Sequence, residues 1–89
     1  MYQNYPNPFR GVSGTTIHYS VVEAGEIVIR IFDATGRLVN EIAEHAEAGD
    51  NRTSWNGTDR DGHPVAGGVY FYEIRGDAFV DQKKMLLLH

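Results

Sequence analysis

The chain has 89 residues, which is enough for one hydrophobic core and too few for two, because single domains mostly run from about 50 to 200 residues. It contains no cysteine, which excludes a disulfide framework, a thiolate zinc site and a thiol nucleophile. Eight Lys and Arg against 12 Asp and Glu give a formal net charge of -4, whereas nucleic-acid binders usually carry a basic stripe. We therefore expect no nucleic-acid partner.

The sequence predicts no membrane-spanning segment. The longest apolar run near either end, Met85–Leu88, has four residues, whereas a spanning helix needs about 20. Residues 1–10 lack the basic start and apolar stretch of a secretory signal. If the protein is exported, we expect its signal peptide to lie outside this sequence.

The first half of the chain reads as short strands separated by turns. Thr15–Val21 and Glu26–Asp33 alternate at period two, which is typical of strands with one buried face. Asp33–Gly36 has the composition of a hairpin turn that ends in a glycine at positive φ. The next segment, Arg37–Ala48, is ambiguous, because its apolar spacing and good helix formers suit a helix as well as a strand.

The second half continues the same pattern. Asn51–Trp55 is a short strand candidate, and the residues from Asn56 to Pro64 form a loop rich in turn signals. Gly68–Arg75 is the clearest strand, and Ala78–Leu88 forms the last one. Ten glycines and six or seven short strands together predict an all-β fold, an immunoglobulin-like two-sheet antiparallel β-sandwich of about seven strands.

Catalytic and cofactor motifs are absent from the sequence. It contains no G-x-S-x-G elbow, no H-E-x-x-H helix and no glycine-rich phosphate loop, so we predict neither an enzyme nor a cofactor. Asp59 and Asp61 could share a calcium ion, but an EF-hand loop starting at Asp59 would place Pro64 where glycine is required. An Asx turn in which the aspartates bind their own backbone is the favoured interpretation.

Four aromatic residues allow a second binding hypothesis. A sugar could stack on a platform made from Trp55, Tyr70, Phe71 and Tyr72. Neighbouring positions of a strand point to opposite faces, however, and one face is the core. We therefore predict that Trp55 and Tyr70 are core residues.

Five segments, in this order and spacing, resemble the type A C-terminal sorting domains of type IX secretion. They are Tyr5-Pro6-Asn7-Pro8-Phe9, Val28–Val39, Trp55-Asn56-Gly57, Asp59–Tyr72 and Lys83–Leu88. The same pattern is similar to the immunoglobulin-like domain of the flagellar hook-capping protein family. The resemblance implies that Arg37–Ala43 is a strand rather than a helix.

The resemblance also implies a domain plan and a function. Residues 1–14 would be an N-terminal linker with a lead-in motif, and residues 15–89 the sorting domain. Such domains follow an exported cargo and are read by an outer-membrane translocon while they are in transit through the periplasm. A sortase-like peptidase then removes the domain, and the cargo reaches the outer cell surface or is secreted. The sorting motif would comprise Asn7, Pro8, Phe9, Gly68, Val69, Tyr70, Lys83 and Lys84.

Two alternatives remain open at this stage. The domain could be an immunoglobulin-like structural or binding module, either a spacer in a secreted polysaccharide-degrading enzyme or a hook-capping-type assembly domain. Lys83 and Lys84 could be a basic sorting element, or they could protect an edge strand from pairing with other chains.

Overall fold

Seven strands form the regular secondary structure in the part of the chain that the computed structural model describes, residues 3–11, 13–77 and 79–88. Their bounds are β1 Phe9–Arg10, β2 Thr15–Val21, β3 Gly25–Asp33, β4 Leu38–Ala46, β5 Gly49–Trp55, β6 Gly68–Arg75 and β7 Val80–Leu88. They form a five-stranded sheet in the order β1-β7-β6-β3-β4 and a two-stranded sheet of β2 and β5. The predicted immunoglobulin-like β-sandwich is confirmed. Ala78, the predicted start of the last strand, lies outside the described residues.

The core lies between the two sheets and is built from alternate residues of their strands. Successive side chains of a strand point to opposite faces, so period-two apolar patterns place whole rows inside. The buried apolar residues of these strands are Ile17, Tyr19 and Val21 of β2, Ile27, Ile29 and Ile31 of β3, Ala46 of β4, Tyr70, Tyr72 and Ile74 of β6, and Met85 and Leu87 of β7. Trp55 and Phe9 complete the core at one end.

The turn between β3 and β4 forms as predicted. Gly36 has a φ of 89°, and the Oδ1 atom of Asp33 accepts hydrogen bonds from the backbone N–H groups of Thr35 and Arg37, each at 3.0 Å. The hydroxyl of Thr35 also donates to this carboxylate, and this bond is the largest of the contacts that lower the pKa of Asp33. The turn brings β4 back antiparallel to β3, with a register shift between Ile31 and Phe32.

The segment Arg37–Ala48 is a strand over most of its length. The helical interpretation is wrong, and the strand implied by the family resemblance is confirmed, with β4 extending to Ala46. Pairing with β3 places Ile42 opposite Ile29 and packs it against the core, while Ala46 is fully buried. These long-range contacts outweigh helix propensities, which differ by only a few tenths of a kcal/mol per residue.

The N-terminal residues belong to the sandwich. β1 pairs with β7 in parallel, the one exception to antiparallel pairing among the described strands. Asn4 and Phe9 are each only 2% exposed, so the segment predicted as a linker contributes side chains to the interior. Of the residues described, none forms a helix long and apolar enough to cross a membrane.

Candidate functional site

Residues 3–8, here called the N-terminal strap, bridge the two sheets. Tyr5 forms an antiparallel bridge with Thr16 of β2, with N···O distances of 3.0 and 2.8 Å. The side-chain amide of Asn4 donates to Thr15 Oγ1 at 2.9 Å, and its backbone N–H donates to the Tyr72 hydroxyl of β6 at 3.0 Å. Burial is the main reason why the pKa of Tyr72 rises to about 12. The strap is therefore tied to both sheets.

The strap also covers the outer edge of β7. The Asn7 side chain accepts a hydrogen bond from the Leu86 N–H at 2.9 Å, and the Gln3 side chain donates to the Lys84 carbonyl at 2.8 Å. β1 continues this contact by pairing Phe9 with Leu87. Backbone N–H and C=O groups left unpaired at a sheet edge can pair with strands of other chains. Here two amide side chains form hydrogen bonds with two of these groups. Pro8, which follows a cis peptide bond, is exposed between these contacts.

Phe9 joins the strap to an aromatic cluster in the core. Its ring lies 5.8 Å from that of Trp55, and the Trp55 ring lies 5.4 Å from that of Tyr70 at an interplanar angle of 66°. Such tilted and edge-on pairs are favourable beyond the area they bury. The indole N–H of Trp55 donates to the Thr58 carbonyl at 2.8 Å. The prediction that Trp55 and Tyr70 are core residues is confirmed, since they are 3% and 5% exposed.

The Gly68-Val69-Tyr70 segment enters β6 beside this cluster. Gly68 has a φ of 147°, a backbone conformation that L residues rarely adopt. It lies opposite Leu87, the same residue that pairs with Phe9, so one position of β7 touches two of the predicted motif segments. Val69 points to the opposite face of the sheet from Tyr70 and is 38% exposed.

Lys83 and Lys84 lie in the middle of β7 and project from opposite faces of the sheet, as predicted. Lys83 is paired with Tyr72 and Lys84 with Phe71. Among the described residues, neither ammonium group forms an ion pair with a carboxylate. All eight predicted motif residues therefore lie on the strap and on the three adjacent strands β1, β7 and β6.

The loop from Asp59 to His63 carries the candidate metal ligands. Asp59, Asp61 and His63 each offer a ligand atom, and these atoms lie within 4.8 Å of one another. The Oδ1 atom of Asp59 accepts hydrogen bonds from the backbone N–H groups of Asp61 at 2.9 Å and His63 at 3.0 Å. The His63 contact is the largest cause of the lowered pKa of Asp59. This is the Asx turn that the sequence favours.

Sequence reasoning missed Gln3 and Asn4, which hold the strap in place. The signal available was their position in an amide-rich segment just before the first strand, since amide side chains can satisfy both donors and acceptors of an open strand edge. Their pairing partners, Lys84 and Tyr72, are 81 and 68 residues away in sequence. No local pattern indicates such distant partners.

These features define an immunoglobulin-like β-sandwich module whose edge strand is covered by its own N-terminal strap. Residues 9–78 match the family model of the FlgD Ig-like domain, and the chain belongs to that family. The matched range contains β1 to β6 and ends before β7. No curated protein matches the sequence significantly.

Solved structures with the same fold come from two bacterial systems. PorZ of Porphyromonas gingivalis, described as an essential surface component of the type IX secretion system, is 28% identical with a TM-score of 0.69 over 98% of this chain and 11% of its own. Latent dimeric PorU of the same organism is 23% identical with a TM-score of 0.77 over 97% of this chain and 9% of its own.

FlgD of Xanthomonas campestris, described in connection with hook capping in flagellar assembly, is 23% identical with a TM-score of 0.69 over 90% of this chain and 59% of its own. The chain thus spans a small part of PorZ and PorU and more than half of this FlgD. It is similar to one domain of each of these proteins.

Proposed function

We propose that this chain is a C-terminal sorting domain of type IX secretion, of type A, that directs a cargo fused to its N-terminal side. One observation carries the proposal. Three motif segments that are far apart in sequence, Asn7-Pro8-Phe9, Gly68-Val69-Tyr70 and Lys83-Lys84, lie together on the strap and on adjacent strands. A receptor that contacts this edge of the sandwich would touch all three at once.

The chemistry of this edge suits recognition rather than catalysis. β7 presents one lysine on each face, and its neighbours supply an exposed valine and a strap held by hydrogen bonds. A receptor with carboxylates on both sides of β7 would therefore meet a cation from each face. We propose that the domain is not an enzyme, needs no cofactor, and acts only as a folded signal.

The proposed partners are the type IX translocon and a sortase-like peptidase. The domain would act in the periplasm and then reach the outer cell surface or the medium with its cargo. The likeness to PorZ supports the assignment, because it extends over 98% of this chain. It therefore includes nearly all of the strap and β7, both of which lie outside the FlgD family match over residues 9–78.

An export assay tests the proposal. Residues 1–89 are fused behind a fluorescent protein with a periplasmic signal, in a host that has the translocon. The test variant is Lys83→Gln with Lys84→Gln, which keeps side-chain length and removes two positive charges. The matched control is Arg37→Gln with Arg60→Gln, which removes two charges from exposed positions outside the strands.

We expect the wild-type and control fusions to reach the cell surface or the medium, and the lysine variant to stay in the periplasm. A wild-type fusion that remains periplasmic while folded and full-length would refute the sorting function. If the lysine variant is exported as well as wild type, the domain is a signal whose lysines serve only to protect the edge.

The second candidate function is an immunoglobulin-like structural module, either a spacer or a hook-capping-type assembly domain. The family match over residues 9–78 favours it, because that match covers the sandwich without the lysine-bearing strand. The two candidates differ in gene context. The sorting function requires this segment to lie at the C-terminus of its full-length protein, whereas a spacer can lie anywhere.

A further inference from the structure

The outer face of the five-stranded sheet, which points away from β2 and β5, is unusually apolar. Antiparallel sheets of this kind commonly place polar residues on the solvent side. Here that side carries apolar residues from four adjacent strands, with a band of charges across it. The apolar members are Val28, Phe32, Leu38, Ala43, Val69, Phe71, Val80, Leu86 and Leu88.

The strand register arranges this face in rows. The aromatic row runs across β7, β6, β3 and β4 as Lys84, Phe71, Phe32 and Leu38. The charged row beside it runs in the same strand order as Gln82, Glu73, Arg30 and Glu41. Within this row Arg30 Nε lies 2.9 Å from Glu41 Oε2, while Glu73 Oε1 lies 3.4 Å from Nε of Arg75, which belongs to the next row. Charge therefore alternates in sign along the row.

We propose that the outer face binds a second copy of this chain through a twofold axis that runs parallel to the strands, between β3 and β6. Such an axis exchanges the two strands, so Phe71 of one copy faces Phe32 of the other. In the charged row it places Arg30 of each copy against Glu73 of the other. The two apolar positions and the two opposite charges are thus complementary to themselves, as a twofold interface requires.

The charges disfavour a perpendicular axis that passes through or near the charged row. A twofold axis perpendicular to the strands and centred on the charged row would place Arg30 against Arg30 and Glu73 against Glu73. Shifted towards the aromatic row, the same axis would place Phe71 against Glu73. Both kinds of axis keep the strands of the two copies nearly aligned, as packed sheets favour.

The size of the face sets the strength of the association. Four strands about 4.8 Å apart and about five residues long make a flat patch of roughly 300 Å², well below the ~800 Å² per partner of a standard interface. We therefore expect a weak dimer with a dissociation constant between about 10 µM and about 1 mM. The proposed sorting function does not depend on this dimer.

Sedimentation equilibrium over that concentration range tests the proposal. The first variant is Phe71→Lys, which places a cation in the aromatic row. The matched control is Val22→Lys, because Val22 is 94% exposed in the β2–β3 loop and lies off the outer face. We expect Phe71→Lys to raise the dissociation constant about tenfold or more, as central interface positions do, and Val22→Lys to leave it unchanged. Thermal melts followed by circular dichroism confirm that each variant is folded.

A charge exchange tests the geometry. Arg30→Glu and Glu73→Arg should each weaken self-association, because each creates two like-charge contacts across the axis. An equimolar mixture of the two variants should associate as wild type does, and so should the chain that carries both changes. A wild-type protein that stays monomeric up to about 1 mM overturns the proposal. So does a folded mixture that fails to restore association, or a Phe71→Lys protein that dimerises like wild type.

Discussion

Trp55 is the residue whose removal should destabilise the domain most. It is 3% exposed, its ring packs between those of Phe9 and Tyr70, and its indole N–H is bonded to the Thr58 carbonyl. Truncating a buried tryptophan to alanine costs about 3 to 5 kcal/mol, through lost burial and the cavity left behind. A domain of this size has a total stability of only about 4 to 13 kcal/mol. Trp55→Ala should therefore remove a large part of it.

Trp55→Phe separates packing from hydrogen bonding. The smaller ring keeps much of the contact with Phe9 and Tyr70 but loses the indole donor. The Thr58 carbonyl still accepts from the Asn40 side chain at 2.9 Å, so it is not left without a partner. We expect Trp55→Phe to cost about 1 to 2 kcal/mol, less than the roughly 3 to 5 kcal/mol of Trp55→Ala.

Urea unfolding followed by far-UV circular dichroism measures the free energy of unfolding of both variants. Tryptophan fluorescence cannot be used, because the chain has a single tryptophan and both substitutions remove it. Each kcal/mol should lower Tm by about 4 to 8 °C. Equal costs for Trp55→Ala and Trp55→Phe, or a cost for Trp55→Ala below about 1 kcal/mol, would show that the core assignment is wrong. If Trp55→Ala left Tm unchanged and abolished binding to a glycan array, the sugar-platform hypothesis would replace it.

Two further predictions follow from the turns and the backbone. Gly68→Ala should lower the free energy of unfolding in urea by about 1 to 3 kcal/mol, because Gly68 has a φ of 147°. The control Gly25→Ala should stay within about 0.5 kcal/mol of wild type, because the added Cβ would meet nothing within 4 Å. Equal effects of the two substitutions would contradict this prediction. The pKa of Asp33 in the folded chain is lowered, first of all by the hydrogen bond from the Thr35 hydroxyl. The ionised Asp33 carboxylate therefore stabilises the fold fully above the unfolded pKa of 3.8, and this stabilisation is lost as the pH falls through the lower pKa of the folded state. Asp33→Asn should therefore flatten the loss of stability in melts below about pH 4, and an unchanged slope would refute this.

The predicted sorting site divides into residues whose role local sequence explains and residues whose role depends on distant partners. The burial of Tyr70 and the opposite directions of Lys83 and Lys84 follow from period-two alternation alone. The contacts of Asn7 with Leu86 and of Phe9 with Trp55 do not, because those partners are far away in sequence. The motif resemblance identified these residues, and only the folded chain reveals that they cover the edge of β7.

The sequence by itself determined most of the strands and their buried faces, because period-two apolar patterns and glycine turns act within a few residues. It therefore predicted β2, β3 and β6 and the hairpin turn at Asp33–Gly36. The tertiary structure alone decided the five-plus-two division of the strands and the parallel pairing of β1 with β7. It also decided that the segment after Arg37 is a strand, since the packing of Ile42 against the core outweighs a local helix preference. Which strands pair depends on contacts between residues far apart in the chain, and the local sequence pattern does not specify those contacts.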